Sequence, residues 1–439
     1  MTTRSARSRK GPELPPELKA IAESVIEAQL PNGLRIRLMP NSNAPTCSYY
    51  TFFKVGSRNE RAGATGISHL FEHMMFNGAK RYGPGEFDST LESNGGTSNA
   101  YTSNDLTVYY EDFMAEALEK VIDLESDRMK SLNITPKMLE SERQVVMEER
   151  RMRVDNEADG TMDEELGTLV YKAHPYRWPV IGWMGDIENI SRDECMAYFR
   201  TYYAPNNATI FVSGDFEPKA ALALLKKYYG SIKAGPPAPR VLDSEPEQKG
   251  ERRSNVKYPS QAPSLLISWR GPPANNEDTF TLDILQYALS VGQSSRLNKA
   301  LVYEQESAVS VSVDWSWRLD PGQFLIAIEL KPGADPVKTE AAVYEQLAKI
   351  ARDGLEPREL EKAQNNLYVM MIRELATNNA RAHSLGNYEM MFGSWRAGLT
   401  LPMKYEAVTS EHIKAVTAKY LTADKRCVVT LVPAPEAAA

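Results

Sequence analysis

Cysteine is scarce in this 439-residue sequence, which contains only three. Cys47, Cys195 and Cys427 are odd in number and far apart, a pattern that favours neither a disulfide framework nor a thiolate metal site. We therefore expect all three to be buried small residues.

Long apolar runs and an excess of positive charge are also missing. No stretch approaches the roughly 20 apolar residues that a membrane-spanning helix requires. The formal net charge is −7 at pH 7, and no basic stripe is interleaved with aromatic residues. These features argue against a membrane span and against a nucleic-acid surface. With 42% hydrophobic and 25% charged residues, the chain is expected to be globular and too long for one core.

The N-terminal arm is basic, with Arg4, Arg7, Arg9 and Lys10 preceding the first acidic residue, Glu13. A secretory signal would need an apolar segment after such an arm, and none follows. The absence of a recognisable signal peptide favours the cytoplasm, and the periplasm stays open if a signal has been removed. Localisation is otherwise unknown.

A short apolar helix is predicted over residues 66–76, and it carries the pattern H-x-x-E-H at His69, Glu72 and His73. Residues four apart project from the same face of a helix, so the two imidazoles could share one metal ion. Glu72 would lie beside that ion, where it could take a proton from a bound water molecule. The alternative is that both histidines are ordinary core residues and the glutamate is incidental.

A third protein ligand has to come from elsewhere in the chain. A helix is predicted from Pro136 to about Asp155, with Thr135 as its N-cap. Glu142 and Glu149 lie two turns apart along it and therefore face the same way. The residues alone do not choose between Glu149 and its neighbour Glu148, and the surrounding charges could simply form a solvated face.

The combination of H-x-x-E-H with a downstream E-x6-E resembles the pitrilysin/insulinase family of zinc peptidases, especially its shorter members related to the mitochondrial processing peptidase. The resemblance implies one Zn²⁺ per chain, held by His69, His73 and Glu149, because the ligands of the family show the separation found here, 149 − 73 = 76. It further implies Glu72 as the general base and Glu142 as a supporting catalytic carboxylate. His174 is implied to be structural.

The segment Asn99, Ala100, Tyr101 and Thr102 resembles the edge strand of the family's active site. An extended substrate would add to it as one more strand through main-chain hydrogen bonds. These four residues are therefore implied to bind peptide.

The second part of the sequence repeats the first. Residues 190–212 align with 408–430 at an offset of 218, and residues 135–140 align with 356–361 at an offset of 221. The second copy has Ala363 and Met370 where the first has Glu142 and Glu149, so it cannot hold the metal. We expect domains at 25–232 and 256–435, joined by a linker at 233–255.

The predicted fold class is α+β, with two duplicated α/β sandwich domains, each a sheet covered by helices. In the family the two copies face each other across a cavity. The resemblance carries that arrangement over to this chain.

One segment departs from the family pattern. Self-sufficient relatives place an arginine and a tyrosine seven residues apart where this chain has Val302 and Val309. Valine offers no hydrogen-bond donor, and Arg296 and Tyr303 are out of register. We expect a heterodimer whose homologous partner supplies the Arg/Tyr pair. The alternatives are a self-sufficient homodimer or a non-catalytic assembly subunit.

Overall fold

The computed structural model describes residues 14–434, which form two β-sheets with helices on both faces of each. The basic arm at residues 1–10 and the predicted domain end at residue 435 lie outside this range. Within it, no helix is both long and apolar enough to cross a bilayer. The three cysteines are buried, as predicted.

Within the described residues, the first half of the chain contains six strands and nine α-helices. The strands are β1 (Ile26–Gln29), β2 (Arg35–Pro40), β3 (Thr46–Phe53), β4 (Thr97–Thr102), β5 (Thr107–Met114) and β6 (Ala208–Gly214). The helices are α1 (Pro16–Ser24), α2 (Ile67–Met74), α3 (Glu86–Ser93), α4 (Leu118–Ser131), α5 (Pro136–Arg150), α6 (Ala158–Val170), α7 (Met184–Asn189), α8 (Arg192–Tyr202) and α9 (Pro218–Tyr229).

Up to residue 434, where the description ends, the second half contains five strands and seven α-helices. The strands are β7 (Arg252–Pro259), β8 (Ser264–Arg270), β9 (Ala308–Ser316), β10 (Gln323–Leu330) and β11 (Arg426–Ala434). The helices are α10 (Asp278–Ser290), α11 (Pro336–Asp353), α12 (Pro357–Glu374), α13 (Asn378–Phe392), α14 (Trp395–Leu399), α15 (Leu401–Glu406) and α16 (Ser410–Tyr420).

The strand orders show the predicted duplication directly. The first sheet runs β1-β2-β6-β3-β5-β4 and the second runs β7-β11-β8-β10-β9. In each, one parallel pair, β2 with β6 or β7 with β11, joins antiparallel neighbours. The strands β2 to β6 thus correspond in order to β7 to β11, and β1 is an addition to the first copy.

The burial of each strand follows from its place in the sheet. All seven residues of the central strand β6 are buried, because helices cover both faces of the sheet there. The edge strand β7 instead alternates half-buried and exposed side chains, as expected where only one face is covered.

One helix of each half packs on the sheet of the other half, an arrangement that the sequence did not predict. Helix α13 of the second half packs on β3 and β6 of the first sheet, and α6 of the first half packs on β7, β8 and β11 of the second. Phe52 and Phe211 of the first sheet therefore share a hydrophobic core with the second half. A cleft of about 450 Å³ is lined by residues of both halves, including residues of α6, β9 and β10.

Between α9 and β7, the described chain has neither helix nor strand. Glu245 in this connection accepts hydrogen bonds from three consecutive backbone amides, those of residues 172–174. The predicted linker is thus anchored to the first half, and β7 begins inside its predicted range.

Candidate active site

Helix α2 carries His69, Glu72 and His73 on one side and its apolar residues on the other. Ile67, Leu70, Phe71 and Met74 are buried in the core of the first half. The helix begins after Gly66, whose φ of +85° lies in the left-handed region that favours glycine. The buried carboxylate of Glu60 accepts the amides of Gly66 and Ser68 at 2.9 and 2.8 Å, which satisfies donors at the helix start.

Helix α5 packs against α2 and brings the predicted third ligand to the histidines. Its start is fixed by Thr135, whose hydroxyl accepts the amide of Met138 at 3.2 Å. Glu149 Oε2 lies 3.1 Å from His73 Nε2 and 3.7 Å from His69 Nε2.

The alternative residue Glu148 lies on the other side of the helix, with its side chain 61% exposed and paired with Arg151. The structure thus brings Glu149, and not Glu148, to the two histidines.

These three side chains form a group whose donor atoms all lie within 4.8 Å of one another. Two imidazole nitrogens and one carboxylate oxygen are a donor set found in catalytic zinc sites. Within residues 14–434, Nδ1 of His69 is buried and has no hydrogen-bond partner, so the contacts of this ring to polar groups are made through Nε2. The residues present therefore fit a zinc ion.

Glu142 lies on the far side of His73, with its Oε2 3.7 Å from His73 Nδ1. A carboxylate in this position orients a metal-binding imidazole and raises its basicity. The structure places Glu142 behind a histidine rather than facing the space between the three donor atoms.

The pKa values reflect these neighbours. Burial, helped by the nearby His73, lowers the pKa of His69 to about 4. Burial also disfavours the cationic form of His73, but Glu142 and Glu149 outweigh it and raise the pKa of His73 to about 9. Contact with His73 in turn lowers the pKa of both glutamates. Between these two pKa values, His69 is therefore neutral and His73 is protonated beside the two carboxylates.

Glu72 lies on the same helix, one residue before His73. Burial raises the pKa of Glu72, while its polar neighbours Thr102 and His73 partly oppose that shift. A carboxylate that is a stronger base than in water is suited to proton transfer. Thr102 is the last residue of β4, so Glu72 lies where the edge strand meets the histidines.

The four residues predicted to bind peptide are all in β4, the last strand of the first sheet. Its free edge can accept another strand. Ala100 packs toward the core of the first half, whereas Tyr101 packs toward the second half, where its hydroxyl lies 3.0 Å from His383 Nε2 on α13. The amide of Ala100 is bonded to the side chain of its neighbour Asn99 at 2.8 Å. The Tyr101 side chain therefore holds the strand and points away from the site.

The other residues considered in the sequence occupy separate places. His174 is buried, accepts the amide of Tyr176 and contacts Asp320 at 3.0 Å, as expected for a structural residue. Val309 is 51% exposed. The guanidinium of Arg296 is engaged by Glu359 within the second half.

Two arginines near the site were not singled out by sequence. Arg153 pairs with the second oxygen of Glu149 at 2.7 Å, a contact that the i, i+4 spacing on a helix could have suggested. Arg150 is only 5% exposed, so it does not belong to the solvated face that the sequence left open as an alternative. Nothing in the local sequence distinguishes a buried arginine from its exposed neighbours.

Two family models and several curated proteins match this sequence. Residues 35–182 match the model described as "Insulinase (Peptidase family M16)", and residues 189–367 match "Peptidase M16 inactive domain". The chain is 32% identical to zinc protease PqqE of Helicobacter pylori, with 82% of each chain covered. It is 25% identical to a probable mitochondrial-processing peptidase subunit beta of Schizosaccharomyces pombe, with 89% of this chain and 88% of that one covered.

Among solved structures, a protease from Helicobacter pylori superposes with a TM-score of 0.90 at 28% identity, covering 93% of this chain and 99% of the other. The predicted two-domain α+β fold is therefore confirmed. From the sequence matches and the shared fold we conclude that this chain is a member of peptidase family M16, the insulinase family.

Proposed function

We propose that this chain is a zinc-dependent endopeptidase that hydrolyses peptides or unstructured segments. The observation that carries the proposal is the convergence of His69, His73 and Glu149 from two helices, next to a half-buried Glu72 and an open edge strand. The names of its relatives, which include zinc proteases, support the same metal and the same reaction class.

In this proposal His69, His73 and Glu149 hold the zinc ion. When bound, zinc would polarise the scissile carbonyl and increase the acidity of a water molecule. Glu72 accepts the proton of the attacking water and delivers it to the nitrogen of the leaving amine. Glu142 keeps the His73 ring in its orientation through Nδ1.

The substrate is held by β4. A peptide in extended conformation pairs with the free edge of this strand. The amide of Ala100 then releases the side chain of Asn99 and donates to the backbone of the peptide instead. Because backbone groups make these contacts, the strand selects for extended, unfolded segments more than for particular side chains.

We further propose that the active unit is a heterodimer in which a homologous partner supplies an arginine and a tyrosine toward the substrate carbonyl. Val302 and Val309 carry no donor, and Arg296 is already engaged by Glu359. A preorganised donor at a developing oxyanion contributes roughly 3–4 kcal/mol to catalysis, so its absence from the chain matters. The name of one relative, a subunit of a processing peptidase, supports this arrangement.

The test combines metal analysis with hydrolysis of a broad mixture of unstructured peptides, with and without chelator. We expect bound zinc but little cleavage by the chain alone, and chelator-sensitive cleavage once the homologous partner is added. Chelator-sensitive cleavage by the chain alone would establish the self-sufficient alternative. Bound zinc without cleavage under any pairing would favour a non-catalytic subunit, and absence of zinc binding would overturn the proposal.

A further inference from the structure

Arg150 follows the proposed ligand Glu149 and is the last residue of α5. Its guanidinium is buried and makes directed contacts with three groups. One nitrogen donates to the carbonyl of Gly182 at 2.7 Å, and another contacts Glu164 at 2.7 Å and Asp155 at 3.2 Å. The planar guanidinium can satisfy several acceptors at fixed angles, so the end of α5 is held both in position and in rotation.

The Gly182 carbonyl is a meaningful anchor because Gly182 lies directly on the start of α2. A Cβ atom at Gly182 would come within 2.5 Å of Gly66 Cα, so the two backbones touch. The next residue, Trp183, donates its amide to Thr65 at 2.9 Å. A short path therefore runs from Glu149 through Arg150 and Gly182 to the helix that carries both histidines.

The duplication supplies an internal comparison. One α5 arginine, Arg143, donates to the carbonyls of Ile187 and Ile190, and at the corresponding position of α12 Gln364 donates to the carbonyls of Tyr405 and Val408 at 2.9 and 3.1 Å. That anchor is present in both halves and therefore belongs to the fold.

The Arg150 anchor is not repeated. With the offset of 221, its counterpart is Met371, which is buried in the core, and the counterpart of Glu149 is Met370. The half with the three donor atoms has the arginine, and the half without them has an apolar residue of similar length.

We propose that Arg150 is a positioning residue for the metal site: it fixes Glu149 at the distance from α2 that the site requires. This inference rests on the proposed function, because it assigns a role toward the same zinc ion. Arg150 itself does not touch the metal or the substrate.

The experiment compares Arg150→Met, which copies the second half, with Arg143→Met, which removes a buried guanidinium from the same helix. Zinc affinity is measured by competition with a chromogenic chelator, and the Tm of each metal-free protein is measured in excess chelator. We expect both variants to lower the metal-free Tm. Only Arg150→Met should weaken zinc binding, by about 10–100-fold, as for other groups that orient metal ligands.

Two further variants control for misfolding and for the unpaired carboxylate that the loss of Arg150 leaves behind. Arg150→Lys keeps one donor for the Gly182 carbonyl and should recover part of the affinity. Arg150→Met combined with Glu164→Gln removes the carboxylate left without its partner and should remain weak. Zinc affinity of Arg150→Met within threefold of the unaltered chain, or an equal loss in Arg143→Met, would overturn the inference. A lack of zinc binding by the unaltered chain would overturn the proposed function first.

Discussion

Each half has a corresponding pair of helices next to its edge strand, α2 with α5 in the first half and α10 with α12 in the second, but the side chains between the helices differ. In the first half α5 directs Glu142 and Glu149 toward His73 on α2. In the second half α12 packs on α10, and the corresponding contact joins the Tyr287 hydroxyl to Met370 Sδ at 2.7 Å. One scaffold therefore supports a cluster of histidines and carboxylates in one copy and a solvent-exposed tyrosine–methionine contact in the other, so the fold alone does not determine the chemistry of the helix pair.

The edge strands differ in the same way. On β9 the amides of Val313 and Trp315 are taken by the side chains of Ser290 and Gln286 on α10. On β4 the amide of Ala100 has only the side chain of its own neighbour, Asn99. An added strand would have to displace two long-range contacts on β9 but only a local one on β4, so the first half is the more accessible to a peptide.

The largest effect that would sharpen this comparison is expected from Glu72→Gln. The amide cannot accept a proton, so cleavage by the complete enzyme should fall by about 10²–10⁴-fold while zinc stays bound. Steady-state hydrolysis and metal analysis of the same sample check this. Full activity of the variant would assign the base to another residue.

The next largest effect concerns zinc binding and compares α5, which carries Glu149, with its counterpart α12. Glu149→Gln should weaken zinc binding by at least about 100-fold, more than the loss of an orienting group would cause. Glu148→Gln and Met370→Ala serve as matched controls on the same helix and on the second copy, and both should bind zinc normally. An unchanged affinity in Glu149→Gln, or a loss in Glu148→Gln, would contradict the assignment.

A smaller effect concerns Asp283 on α10, whose ionisation should make the stability of the fold depend on pH. Asp283 is buried, and burial raises its pKa to about 8, although Tyr405 and Trp317 donate to it. The folded state therefore binds this proton more tightly than the unfolded chain, in which the pKa is about 3.9. Between those two values, ionisation costs progressively more stability as the pH rises.

Asp283→Asn removes that dependence while keeping an acceptor for the two donors. Relative to the unaltered chain, the variant should gain on the order of a few kcal/mol between pH 5 and pH 9. Denaturant unfolding at both pH values measures the difference. A constant difference at the two pH values would show that Asp283 is ionised in the folded protein throughout this range.

The smallest effect is expected at the β9 edge. Gln286→Ala and Ser290→Ala each remove one hydrogen bond to a strand amide and should cost about 1 kcal/mol of stability. The amides of Val313 and Trp315 should then exchange faster with deuterium, whereas zinc binding should be unaffected. Unchanged exchange in both variants would contradict the protection that we assign to these side chains.

A local sequence pattern predicted that three of the candidate site residues lie together. His69, Glu72 and His73 were identified because their spacing on one helix is sufficient to place them together. The residues alone left Glu149 and Glu148 open, because no single-helix pattern fixes the rotation of α5, and only the resemblance to the family implied Glu149. The duplication was visible at offsets of 218 and 221, and strand order then confirmed it.

Long-range packing could not be predicted in the same way. The amphipathic patterns of α6 and α13 show that each helix has a buried face, but do not show that the sheet it covers belongs to the other half. The contact between Tyr101 and His383 joins residues 282 apart. The burial of Arg150 likewise depends on Gly182 and Glu164, which are brought to it only by the tertiary fold.

The central claim is that the first half alone holds a metal, through His69, His73 and Glu149. Anomalous X-ray diffraction at the zinc absorption edge, from crystals of the zinc-loaded chain, tests this most directly. We predict one peak per chain within bonding distance of these three residues and no peak at Met370. A zinc peak coordinated by Glu148, or placed away from the two histidines, would contradict the account.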